Sequence, residues 1–143
     1  MARFVTESFV PARVHVKEQA ADFERFGDRF AAQWTPTILL LDPDGEEEHR
    51  IEGFLPAEDF LAQLELGVAH AAFKRGDWEE AEGRFRAIVE VHPDSDAAPE
   101  AMYWAGVARY KKSGDGRALA DTARAFHERY DDTAWAKKAS VWG

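Results

Sequence analysis

Hydrophobic positions alternate early in the chain and turn helical later. Ala2 to Ser8 reads as the tail of a helix. Val10, Ala12, Val14 and Val16 then alternate with polar or proline positions, and their β-branched content predicts a strand over residues 10–16. From Lys17 to Gln33, Phe23, Phe26 and Phe30 recur at spacings of three and four, which predicts a helix with one apolar stripe, interrupted by Gly27. Trp34-Thr35-Pro36-Thr37 breaks that helix. The run Thr37-Ile38-Leu39-Leu40-Leu41 suits a strand covered on both faces. Asp42-Pro43-Asp44-Gly45 is a turn, with Pro presetting φ and Gly accepting positive φ. Glu46 to Phe54 alternates loosely around Ile51, so the two segments are expected to form a hairpin.

Beyond Pro56, which fits the first turn of a helix, the pattern is helical nearly to the end. Phe60, Leu61, Leu64, Val68 and Phe73 mark one helix, and Gly76-Asp77 ends it. Trp78, Ala81, Phe85, Ile88 and Val89 form the inner face of the next, stopped by Pro93-Asp94-Ser95-Asp96. A third runs from about Ala97 to Lys112, followed by the turn Ser113-Gly114-Asp115-Gly116. Leu119, Ala123 and Phe126 line a fourth, and Asp132-Thr133 opens a short last one. Val91 to Ser95 parallels Arg129 to Thr133 about 38 residues on, and Ala101 and Trp104 match Ala139 and Trp142 at the same offset. A period of this kind belongs to antiparallel helix pairs, which bury their apolar faces only by stacking on neighbours.

The chain has 143 residues and 16.1 kDa, is 45% hydrophobic and 31% charged, and carries a net charge of -9. That is globular rather than disordered composition, enough for one domain or a small domain with a helical extension. The acidic balance argues against nucleic acid and against anionic membranes as partners. The absence of cysteine removes disulfides, thiolate metal sites and thiol catalysis from the chain. The longest apolar run, Ile38–Leu41, is too short to span a membrane, and the first residues lack signal-peptide architecture, so the expected address is cytoplasmic.

Gly76-Asp77-Trp78-Glu79-Glu80-Ala81, with Phe85, Ile88 and Pro93, resembles the second half of a tetratricopeptide repeat. Ala72 departs from it, standing where that family usually has Tyr. Tyr103 to Tyr130 is a similar but degenerate unit, and Trp135 to Trp142 is half a unit or a capping helix. The residues before it resemble the C-terminal part of a thioredoxin-like domain: strand 10–16, the phenylalanine helix, Thr35-Pro36-Thr37 ahead of an apolar strand, the hairpin, and Ile51-Glu52-Gly53-Phe54 leading into a terminal helix. Together they resemble bacterial thioredoxin-family proteins with a helical-repeat tail. The implied fold is α/β plus all-α. A partial thioredoxin-like sheet of three strands, its central strand missing, occupies 1–64, and tetratricopeptide-like helix pairs occupy 65–143. The resemblance further implies a cis Pro36 beside a redox site, yet nothing before Phe9 supplies the strand and Cys-x-x-Cys turn. Strands 10–16 and 37–41 would then pair directly or leave apolar edges open, and a homodimer completing the sheet is the expected remedy.

The candidate binding residues follow from these likenesses. In thioredoxin-like proteins the cis-proline loop contacts extended peptides through its backbone, which points to Trp34, Thr35 and Pro36. Trp78, Tyr103, Trp104 and Tyr110, with Trp135 and Trp142, are more aromatics than a two-layer helical core needs, and they are candidates for a peptide groove rimmed by Arg75, Arg84, Arg86, Arg109, Lys111 and Lys112. His15, His49, His70, His92 and His127 form no metal-ligand spacing, the Asp42–Gly45 turn lacks the further acidic ligands of a calcium loop, and no serine has a nucleophile context. The expectation is a non-enzymatic protein- or peptide-binding module without metal or cofactor. The alternatives are the C-terminal piece of a thiol–disulfide oxidoreductase with its Cys-x-x-Cys upstream, and a small-molecule binder in the Trp-rich helical part.

Overall fold

A computed structural model describes all residues, Met1–Gly143. The chain divides into two compact units, Met1–Ala57 and Glu58–Gly143. The anticipated boundary at 64/65 lies further along, within a helix.

In the first unit, α1 (Ala2–Ser8) buries no side chain and is braced by an Arg3–Glu7 pair one turn apart. Residues 9–19 are extended and turn structure, so the strand expected over 10–16 does not form and the sheet has two strands instead of three. The cause is local. The Nδ1 of His15 accepts the Lys17 and Glu18 amides at 3.3 and 3.2 Å, and Gln19 Oε1 accepts the His15 amide at 2.9 Å. Side chains thus bond the backbone at the end of this segment, from His15 to Glu18, in a turn rather than a ladder. Val10 is left 98% exposed.

Helix α2 (Ala20–Phe30) begins after this turn and ends at Ala31, which takes a left-handed φ of 51°. The hairpin is present as expected: β1 (Thr37–Leu41) and β2 (Glu47–Glu52) are antiparallel, Ile38 opposite Ile51 and Leu40 opposite His49, with an irregularity at Leu40/Leu41. Asp42 Oδ1 accepts the amides of Asp44 and Glu46 at 2.9 Å each, and Gly45 closes the turn at φ 81°. Two arginines tie α2 to the hairpin. Arg29 Nη2 donates to the Gly45 carbonyl at 2.8 Å, and Arg50 donates to the Phe30 carbonyl at the open end of α2. Phe30, Leu40 and Ile51 are the buried apolar side chains of this unit.

The second unit is a succession of helices: α3 (Ala57–Lys74, whose first residue closes the first unit), α4 (Trp78–Val91), α5 (Ala97–Ser113), α6 (Arg117–Arg129), α7 (Ala134–Ala139) and a 3-10 turn over Ser140–Trp142. Alanines at the contacts let helices approach closely. Ala62, Ala69 and Ala72 of α3, Ala81 of α4, and Ala97, Ala101, Ala105 and Ala108 of α5 share one buried cluster with Leu66, Phe85 and Ile88. Glu82 of α4 reaches Lys112 of α5 at 2.6 Å. His92, buried at the end of α4, sits 3.3 Å from Glu65 of α3.

Two turns 38 residues apart are built from like contacts. Ser95 donates its hydroxyl to the His92 carbonyl at 2.8 Å, and Thr133 donates to the Tyr130 carbonyl at 2.8 Å, each just ahead of the next helix. Gly76 (φ 83°) and Gly114 (φ 70°) end α3 and α5 at the same offset. Ala101 and Ala139 are both fully buried.

Candidate functional site

The turn before β1 gathers Trp34, Thr35 and Pro36. The Thr35–Pro36 peptide bond is cis, as the resemblance implied. The turn is pinned on both sides: the Thr37 hydroxyl donates to the Trp34 carbonyl at 2.7 Å, and the Gly53 amide donates to the Pro36 carbonyl at 2.8 Å. Between these anchors Thr35 and Pro36 are exposed, and the backbone of Thr35 makes no hydrogen bond within the chain. Trp34 is 69% exposed and stacks on no other ring. The turn therefore presents the unpaired amide and carbonyl of Thr35 beside a large aromatic face, the elements needed to hold an extended peptide.

The aromatic residues of the helical unit are arranged differently. Phe73 packs edge-on against Trp78 (4.8 Å) and Trp104 (5.0 Å), Trp104 meets Tyr103 (5.6 Å), and Tyr103 stacks on Trp142 (4.5 Å) and leans on Trp135 (5.2 Å). Tyr103 and Trp104 thus pack on each other, and Trp78 joins them only through Phe73. Tyr110 stands apart at 37% exposure with no ring neighbour. Trp104 Nε1 is buried without a hydrogen-bond acceptor, in a ring set that includes Phe73 and His70. His70 holds Glu100 at 3.0 Å across α3 and α5, and Lys138 lies 3.6 Å over Trp135. Neither contact was expected from the sequence: Trp135 and Lys138 lie three apart on one helix, a spacing that marks the pair, whereas His70 and Glu100 meet only because α3 and α5 stack.

Most of the basic side chains expected to rim a groove are spent on carboxylates. Arg75 pairs with Asp77 and Glu80, Arg84 with Glu80, Arg86 with Glu90, Arg109 with Asp121 and Lys112 with Glu82. The Glu82 hydrogen bond raises the Lys112 ammonium above its usual range. A shallow cleft of about 450 Å³ lies between the two equivalent turns, lined by Pro93, Asp94, Arg129, Tyr130 and Trp135 among others. Tyr130 donates to the Pro93 carbonyl at 2.8 Å there, and burial pushes its phenol above the usual value.

No helix is long and apolar enough to cross a membrane. A family model for a thioredoxin-like domain matches residues 2–67, from α1 through the hairpin into α3. That segment is thioredoxin-like and carries no cysteine. Comparison with curated proteins and with solved structures yields no match.

Proposed function

We propose that the chain is a non-catalytic, cytoplasmic protein-interaction module, in which a thioredoxin-like unit without thiols is joined to a tetratricopeptide-like array of helix pairs. The observation that carries this reading is the exposed turn Trp34-Thr35-Pro36. Trp34 and the unpaired Thr35 backbone stand ready for an extended peptide, while the thiolate chemistry normally served by such a turn has no residue to perform it. The offset of 38 residues between Gly76 and Gly114, near the periods of roughly 34 to 47 found in helix-pair arrays, supports reading the helical unit as a scaffold of this general kind. Such arrays characteristically offer extended surfaces to partner proteins. A small-molecule site in the helical unit has less support, because Trp78 and Trp104 both pack on Phe73 and Trp104 on Tyr103.

Selection from a displayed peptide library, followed by titration of the best binder, tests the reading. Trp34→Ala removes an exposed side chain that packs on no ring, so the fold is expected to persist while affinity falls about 30-fold, the effect of losing one aromatic anchor. Binding unaffected by Trp34→Ala, or dithiol-driven insulin reduction by the chain, overturns it.

A further inference from the structure

One end of the helical unit holds charges that its own chain leaves unanswered. The cleft there lies between the turn from α4 to α5 and the turn from α6 to α7. Tyr130 ties the two turns together by donating to the Pro93 carbonyl at 2.8 Å, and the Thr133 hydroxyl holds the start of α7 by accepting the Ala136 amide at 3.1 Å. Pro93 and Pro99 on one wall, with Tyr130 and Trp135 on the other, give the cleft apolar sides. Asp94 and Asp96, both exposed, line it and pair with no cation. Glu128 and Asp132, beside lining residues in the sequence, are unpaired as well. The cations that touch the lining are laid on rings instead, Arg129 at 5.4 Å from the Tyr130 centroid and Lys138 at 3.6 Å from that of Trp135. Four free carboxylates thus outnumber two cations here, in a unit where Glu80, Glu82, Asp115 and Asp121 all have basic partners.

We propose that this cleft docks an extended, basic peptide segment of a partner protein. A lysine or arginine side chain lies between the proline and aromatic walls, with its charge on Asp94 and Asp96. Charge complementarity selects the basic side chain, because carboxylates are in excess around the cleft. The stem of such a side chain is apolar and suits walls of proline and aromatic carbon. Shape selects a peptide over a small molecule. The space, about 450 Å³, is shallow, whereas small ligands are taken up by pockets that enclose most of their surface. Arg129 keeps N–H groups for a peptide carbonyl, since its only hydrogen bond, to the Val89 carbonyl, is long at 3.5 Å. The site shares no residue with the turn at Trp34 and stands or falls separately from it.

The test is titration of the full chain, followed by NMR, with an acetylated and amidated peptide of alternating lysine and alanine, and with the glutamate–alanine peptide as its counterpart. The lysine peptide is expected to shift the Trp135 indole and Tyr130 ring resonances with an affinity that falls as salt is added, and the glutamate peptide to leave both in place. Asp94→Asn with Asp96→Asn is expected to weaken binding about 10-fold, the loss of two ion pairs. The fold persists in this variant, because Asp94 is exposed and Asn serves as well as Asp at the N-cap of α5. Glu24→Gln with Asp28→Asn makes the same change of charge on exposed positions of α2 and is expected to leave the affinity unchanged. Equal weakening by the two pairs would mean attraction to the overall charge of the chain alone, and overturns the proposal. So does undiminished binding by the Asp94→Asn, Asp96→Asn variant, or no shift at millimolar peptide. Loss of binding on Trp34→Ala would move the peptide to the turn before β1 and overturns it too.

Discussion

Gly106 is buried in α5 against Thr122 of α6. A Cβ added there would lie 2.8 Å from Thr122 Cγ2 and 2.9 Å from its Cβ, closer than real side chains pack. Thr122 cannot easily swing away, because its hydroxyl donates to the Ala118 carbonyl at 2.8 Å. Two effects oppose each other in Gly106→Ala. Helix propensity favours alanine by about 0.5–1 kcal/mol, and overpacking costs about 1–3 kcal/mol. With backbone-held atoms on both sides, overpacking is expected to win, for a net loss of about 1–2 kcal/mol in urea unfolding. Adding Thr122→Ala removes the branch atoms and is expected to recover part of that loss; a rise in the midpoint with Gly106→Ala alone would show the crossing to be looser than drawn. Gly114 is a different case: nothing lies near its missing Cβ, and its φ of 70° is the reason for glycine there.

The joint between α2 and the hairpin depends on Arg50, which holds the Phe30 carbonyl while pairing with Glu47 at 2.6 Å and Glu52 at 3.0 Å. The Arg50 hydrogen bond keeps the Glu47 carboxyl below its ordinary value, and the same partners raise the guanidinium. A depressed carboxyl stabilises the fold above its unfolded value, near 4.5, and that contribution is lost as pH falls through the folded value. Protection of hairpin amides is therefore expected to decline on the acid side, with the Glu47 carboxyl carbon titrating below the usual range by NMR. Arg50→Met is expected to return that titration to the ordinary value and to abolish the acid-side decline assigned to this pair. Much of this element was legible in the sequence. Asp42-Pro43-Asp44-Gly45 specified the turn, and the phenylalanine spacing specified α2, because both signals are local. Alternation over 10–16 named the face a strand would bury but not whether a neighbour existed, and the segment ends in a turn held by His15 and Gln19 instead. The one-turn pairs Glu80–Arg84 and Arg86–Glu90 stand four apart in the sequence, a signal that the expectation of a basic rim left unused. Lys112–Glu82 and His70–Glu100 join different helices, so only the stacking discloses them.

Across the whole chain, the two units bury very different cores. The first closes around Phe30, Leu40 and Ile51 and leaves Phe54 86% exposed, whereas the second fully buries Leu66, Phe85, Ile88 and Phe126 together with a layer of alanines. Each large apolar side chain removed from water contributes about 1.5–3 kcal/mol, and small units with few of them are marginal. The units are therefore expected to open separately. In native-state hydrogen exchange, amides of α4 and α5 should be the slowest in the chain, and those of α2, β1 and β2 should exchange at least about 100-fold faster. Phe85→Ala separates this from a general fragility. It removes a side chain with no exposure from the centre of the helical cluster, at a cost of about 3–5 kcal/mol. Protection in α3, α4 and α5 is expected to drop by that amount while the hairpin amides keep their wild-type rates. Equal loss in both units would mean that they unfold as one body, and the unequal cores would then not govern how the chain opens.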